Sequence, residues 1–249
     1  MPSHTAPRRR PHPSARRRAL RRGATACVAA PLVAHVASAQ PASARPAAAR
    51  REVAVEFAGG TAWSWRTPLT ARLPGAAAAT LRARYTTRPL RDAPYYAYRV
   101  GYGTPARGVE AELVHHKLYL ENPRPPVERF EVTHGYNLAT ANLRAPAAGY
   151  VVRVGLGLVV AHPEGRIAGR AVGPVRSRLG GGYHIAGATA QLGVGRRYPL
   201  GRGAVGAFAA PELKLTASGA RVPLAGGGGV LVPNVALHAL AGLGVRRRW

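Results

Sequence analysis

A chain of 249 residues, 47% of them hydrophobic, is long enough for one β domain or barrel, yet it holds no run of the ~18 unbroken apolar residues that a spanning helix needs. If it crosses a bilayer, it crosses with strands. The formal charge is +26, but every basic residue except Lys117 and Lys214 is arginine, in a chain rich in Ala, Gly and Pro; no aromatic cluster interleaves with them as a single-strand-binding platform requires, so nucleic acid is not an expected partner.

The N-terminus carries Arg8 to Arg10, Arg16 to Arg18, Arg21 and Arg22, then a moderately apolar run over 24–36, then Ala37-Ser38-Ala39. A basic region, a short apolar core and a small-x-small site are the parts of a secretory signal peptide. Residues 1–39 are read as that peptide, with cleavage near Ala39/Gln40; the competing reading is a basic, disordered cytoplasmic arm. Cys27 is the only cysteine and falls inside the leader, so the mature chain has no thiol for a disulfide, a metal or a nucleophile. Residues 40–50, with Pro41 and Pro46, are a flexible lead-in, and 51–249 form the folded domain.

From residue 51 the dominant signal is alternation with period two, which puts successive side chains on opposite faces of a strand. In the first strand Val53, Val55, Phe57, Trp63 and Trp65 share one parity against Glu52, Ala54, Glu56 and Ala58. The stretch 80–88 is read as an external extension of the second strand, because Pro89 and Pro94 interrupt it. In that second strand Tyr96, Tyr98, Val100 and Tyr102 oppose Tyr95, Ala97 and Arg99, and in the third Val109, Ala111 and Leu113 oppose Glu110 and Glu112. The fourth (about 135–145) is Ala-rich and less decisive. The fifth sets Val152, Val154, Leu156 and Leu158 against Arg153, Gly155 and Gly157, and the sixth (about 183–196) is again Ala-rich. In the seventh Val205, Ala207, Leu213 and Leu215 oppose Phe208, Glu212 and Lys214; in the eighth Leu237, Leu243 and Val245 oppose His238, Gly242 and Gly244.

The densest chemistry lies where the third and fourth strands meet outside: His115-His116-Lys117-Leu118-Tyr119, then Glu128 to Glu131, then His134-Gly135-Tyr136-Asn137. His116 falls on the inward parity, whereas His115 and Lys117 are expected to face outward. A hairpin here is expected to bring His116, Glu131 and His134 together, a set suited to acid–base chemistry or to a divalent metal. Lys117, Tyr119, Tyr136 and Asn137 complete a polar rim, and a hydrogen-bonded rim with no catalysis is the plainer reading. There is no HExxH spacing and no GxSxG elbow.

Short links at 104–107, 146–149 and 197–202 alternate with long ones at 66–93, 120–134, 162–182 and 217–230, the pattern of outer-membrane barrels with tight periplasmic turns and long external loops. The expectation is an all-β fold: an eight-stranded antiparallel up-and-down transmembrane β-barrel. A soluble sandwich or lipocalin-like barrel would alternate too, but with charges outward. Here Arg99, Glu110, Glu112, Arg153, Glu212 and Lys214 share the parity opposite the apolar band, as a salt-bridged lumen requires. A barrel this narrow is filled by its own side chains and conducts nothing.

The run Arg91-Asp92-Ala93-Pro94-Tyr95-Tyr96 with Arg99, then His116-Lys117 with Tyr119, then Glu128-Arg129-Phe130-Glu131 and Gly135-Tyr136-Asn137-Leu138, resembles a family of small outer-membrane barrels. The family includes the rhizobial lipid A oxidase and related uncharacterised barrels, and the resemblance spans most of 90–161. It implies an eight-stranded barrel in the bacterial outer membrane and, for the oxidase, oxygen-dependent conversion of the proximal glucosamine of lipid A to an aminogluconate unit. Two functions follow. One is a non-catalytic barrel, inserted by the barrel-assembly machinery, that contacts lipopolysaccharide through arginine forks on phosphate. The other is a lipid A-modifying enzyme using the His116/Glu131/His134 rim.

Overall fold

The computed structural model describes residues 50–173, 177 and 179–249. The expected leader (1–39) and almost all of the lead-in lie outside the described residues. Among the described residues every regular element is a strand, and no helix is long and apolar enough to cross a membrane. In chain order they are β1 (Glu52–Ser64), β2 (Thr67–Arg72), β3 (Ala79–Ala83), β4 (Tyr85–Thr86), β5 (Tyr96–Gly103), β6 (Gly108–Leu120) and β7 (Val127–Ala147). Then come β8 (Tyr150–Ala161), β9 (Glu164–Ile167), β10 (Arg170–Val172), β11 (His184–Gly195), β12 (Tyr198–Pro199), β13 (Val205–Pro223) and β14 (Gly229–Arg248).

Antiparallel pairings run β1–β5–β6–β7–β8–β11–β13–β14 and return from β14 to β1, closing a ring of eight strands. Six of the ring strands are those that the alternation marked, and β7 and β11 stand where the Ala-rich fourth and sixth were expected. At one end they join through tight links. Thr104 N–H donates to the Arg107 carbonyl at 2.7 Å, and β7 turns into β8 through Ala148 and Gly149, both at positive φ (48° and 79°). Two positive φ values make the primed turn whose twist suits a two-residue hairpin.

The opposite end differs from expectation. Of the link at 66–93, β2 and β3 form a hairpin whose β2 pairs the upper end of β14, and only Tyr85–Thr86 takes a place in the ring, between β1 and β6 above β5. The stretch 80–88 is therefore mostly hairpin and only briefly an extension of the second strand. The links expected at 120–134 and 217–230 shrink to 121–126 and 224–228, because β7, β13 and β14 continue as strands through them.

The reason is a reversal of facing along single strands. Low on β13 the outward residues are apolar (Val205, Leu213, Leu215), while higher up Ala220 and Val222 point inward and Arg221 outward. On β14 Leu243 and Val245 face out, and Val230 and Val232 are fully buried inside. The same reversal separates Leu143 from Leu138, Val132 and Phe130 on β7. A reading that followed one apolar parity lost the strands where that parity changed sides. Above the reversal Leu69, Leu118, Phe130, Ile167, Val222 and Val232 build an apolar core roofed by β2, β3 and β9.

Candidate functional site

Beneath that apolar core the interior is ionic. Arg99, on β5, reaches four carboxylates: Glu56 (2.5 Å), Glu112 (2.7 Å), Glu212 (2.8 Å) and Glu110 (3.7 Å). Arg153 joins Glu110 and Glu212 at 2.7 and 2.8 Å, and Lys214 bridges Glu112 and Glu212. All six residues assigned to the lumen thus lie in one mesh. Glu52, Glu56, Arg144 and Arg197 extend it toward the tight-turn end, and Gln191 and Asn142 donate to Glu112 at 2.6 and 3.0 Å. Burial makes such charges costly unless paired, and each charged group of this mesh has an opposite partner, although Glu56 Oε2, Arg99 Nε and Arg153 Nη2 find no hydrogen bond among the described residues.

Phe208 closes the lower end, wholly buried, with the Arg197 guanidinium 4.7 Å from its ring centre. Its ring occupies the space over Gly244, where an added Cβ would lie 2.3 Å from the ring edge. Gly244→Ala is therefore expected to displace Phe208 and lower stability by about 1–3 kcal/mol, the usual range for overpacking. A lower temperature for the gel shift between folded and boiled forms would register it.

Between the ionic mesh and the apolar core sits a layer of imidazole and phenol. His116 lies 3.2 Å from Asn234 Oδ1, and its ring is 4.9 Å from that of His238. His238 contacts the Tyr95 hydroxyl and lies 2.9 Å from Thr216 Oγ1, and Tyr136 donates to the Val232 carbonyl at 2.9 Å. His116 and Tyr136 are therefore interior groups with no exposure to solvent.

His116, Glu131 and His134 are not brought together. Their separation comes from a bulge: between the pairs His116↔Tyr136 and Leu118↔Val132, β7 spends Thr133, His134 and Gly135 against Lys117 alone. Such an insertion re-aims side chains and breaks the alternation. Lys117, expected to face outward, is instead wholly buried and donates to the carbonyls of Arg91 and Ala93. His115 keeps its outward parity but is covered, stacked on Tyr96 (centroids 4.8 Å) and bonded to Asn137 Oδ1 at 2.8 Å. Tyr119 donates to Asp92 Oδ2 at 2.6 Å, which holds that carboxyl below its ordinary range. Glu131 is engaged by Arg129.

His134 is exposed, and its partners are Glu164 and His162: Nδ1 to Glu164 Oε1 is 2.6 Å and the two imidazoles are 4.9 Å apart. Burial, and then the neighbouring His134, push the His162 imidazole below its usual pKa, favouring its neutral form. Sequence reasoning missed His162 and Glu164, which no local spacing connects to His134. A cleft of about 540 Å³ opens beside them, lined by Glu128, Arg129, Arg166, Val172 and Gly173.

No family model matches the chain, and no curated protein matches it. Among solved structures the chain aligns with the crystal structure of Neisserial surface protein A, at 11% identity, over 80% of this chain and 97% of that one, with a TM-score of 0.34. A likeness this slight assigns no function.

Proposed function

We propose that the protein is a bacterial outer-membrane barrel with an occluded lumen, whose basic external extension contacts the phosphates of lipopolysaccharide. The reversal of facing along β7, β13 and β14 carries this reading. In water, apolar side chains have one favourable direction, inward, all along a strand. A strand whose apolar residues point outward over one stretch and inward over the next passes from lipid into water.

The dimensions agree. Outward aromatics gather near the tight turns (Tyr102, Tyr150, Tyr198 and Trp249) and at the far end of β1 (Trp63 and Trp65), with the Phe57–Tyr98 pair between them. From Val53 to Trp63 the chain climbs roughly 33 Å at ~3.3 Å per residue, or about 25 Å once tilted as barrel strands are. That is the height of an outer-membrane apolar band, and aromatic girdles mark its borders. β13 at 19 residues and β14 at 20 are about twice what a bilayer needs, so their upper halves stand outside it.

On that extension Arg72, Arg82, Arg84, Arg124, Arg166 and Arg170 are exposed. Guanidinium forks suit the phosphate oxygens of lipopolysaccharide. Two measurements test the reading. Expressed protein should fractionate with the outer membrane and migrate differently before and after boiling. Lipopolysaccharide should bind the purified protein in a salt-sensitive manner, weakened by replacing Arg82, Arg84 and Arg124 with Ser. Recovery in the soluble periplasm would end the membrane reading, and binding indifferent to salt and to the three arginines would end the phosphate reading.

A further inference from the structure

The outward rim of β7, β8 and β9 carries a cluster that the lumen chemistry does not use. The bulge at Thr133 to Gly135 sets His134 beside the start of β9, and two backbone ties hold its neighbours there. The His162 N–H donates to the Gly135 carbonyl at 3.1 Å, and Glu164 pairs with Glu131 in the β7–β9 ladder. Tyr183 packs its ring on His162 (centroids 5.0 Å), and its hydroxyl donates to the His134 carbonyl at 3.1 Å. One ligating atom from each of His134, His162 and Glu164 then lies within 4.8 Å of the others. Among the described residues His162 Nδ1 is buried with no hydrogen-bond partner, which is unusual for a polar atom.

We propose that His134, His162 and Glu164 bind one divalent transition-metal ion, with its remaining coordination position open toward the adjoining cleft. Two imidazole nitrogens and one carboxylate oxygen suit Zn²⁺, Cu²⁺ or Ni²⁺, whereas Ca²⁺ and Mg²⁺ favour all-oxygen sets. Three protein ligands with an open position is the arrangement of reactive rather than purely structural zinc sites. The His134–Glu164 contact of 2.6 Å would widen to about 3.3 Å, the edge of a tetrahedron with ligands at ~2.0–2.1 Å. His134 is exposed and has room to turn. Among the described residues, the guanidiniums that line the cleft have carboxylate partners of their own: Arg129 is engaged by Glu131, and Arg166 lies 3.9 Å from Glu128. They would favour an anionic group on the open position.

The test uses tag-free full-chain protein in detergent micelles, titrated with Zn²⁺ by calorimetry and with Cu²⁺ by electron paramagnetic resonance. The wild type should bind one Zn²⁺ beyond whatever His162→Ala retains, so ligands elsewhere in the chain cancel. Glu164→Gln, which keeps the side chain's shape, should weaken binding by roughly tenfold or more. Bound Cu²⁺ should show hyperfine coupling to two nitrogens, reduced to one in His134→Ala. Equal Zn²⁺ binding by wild type and His162→Ala, no binding at millimolar Zn²⁺, or Cu²⁺ without nitrogen coupling overturns the proposal. Any of those results in protein that still fractionates with the outer membrane removes this site alone. The gel shift on boiling checks that each variant has folded.

Discussion

Replacing Arg99 with Met should cost about 3–5 kcal/mol of stability, the range for removing one partner of a buried ion pair, and sit among the most damaging single changes in the lumen. Arg99 faces Glu56, Glu110, Glu112 and Glu212 at once, and its side chain is almost wholly enclosed. The carboxylates are not equally exposed to the loss. Glu112 and Glu212 keep Lys214, and Glu110 keeps Arg144 and Arg153, whereas among the described residues Glu56 retains only Arg197 at 3.7 Å. A second substitution, Glu56→Gln, should therefore recover ~1 kcal/mol or more, a coupling of the size expected between direct neighbours. Reversible denaturant unfolding of the four proteins in the same micelles gives the cycle. If Arg99→Met unfolds like the wild type, water must be solvating the carboxylates, and the lumen is a wet channel rather than a closed plug.

The ring was legible in the sequence because its lower half obeys one rule. Val53, Val55 and Phe57 alternate with Glu52, Ala54 and Glu56, and that alternation survives any tertiary context in which lipid lies on one side and paired charge on the other. The lumen mesh was legible for the same reason, since parity alone placed Arg99, Glu112 and Lys214 on a common face. What parity cannot show is register across a bulge. The insertion at Thr133 to Gly135 takes His134 away from His116 and buries Lys117, although the two histidines lie on neighbouring strands and 18 positions apart. Glu164 reaches His134 only because β9 docks on the extended β7, a contact between segments whose intervening strand must first be placed. The upper halves of β13 and β14 stayed hidden for a different reason. Their apolar parity changes sides part-way along each strand, and residues such as Ser218, Gly219 and Gly229 carry little hydrophobic signal to bridge the change.

Leu156→Arg should destabilise the protein by about 2–4 kcal/mol in a lipid or detergent environment, and Ala217→Arg by no more than ~1 kcal/mol. Both residues point outward and are exposed, Leu156 at 70%. A water-soluble barrel would welcome arginine at both positions, with Leu156→Arg the safer of the two because it removes exposed apolar surface. A barrel in a bilayer reverses the order. Leu156 lies midway along β8, between Tyr150 at the tight-turn end and Ala161 where the apolar residues turn inward, so a guanidinium there sits near the midplane. Ala217 lies next to the reversal on β13, where the side chain can reach the headgroups and the cost falls away. Unfolding measured side by side in phospholipid vesicles decides it. Depth dependence in this order follows from apolar side chains that face lipid, and equal, negligible costs would mean that they face water.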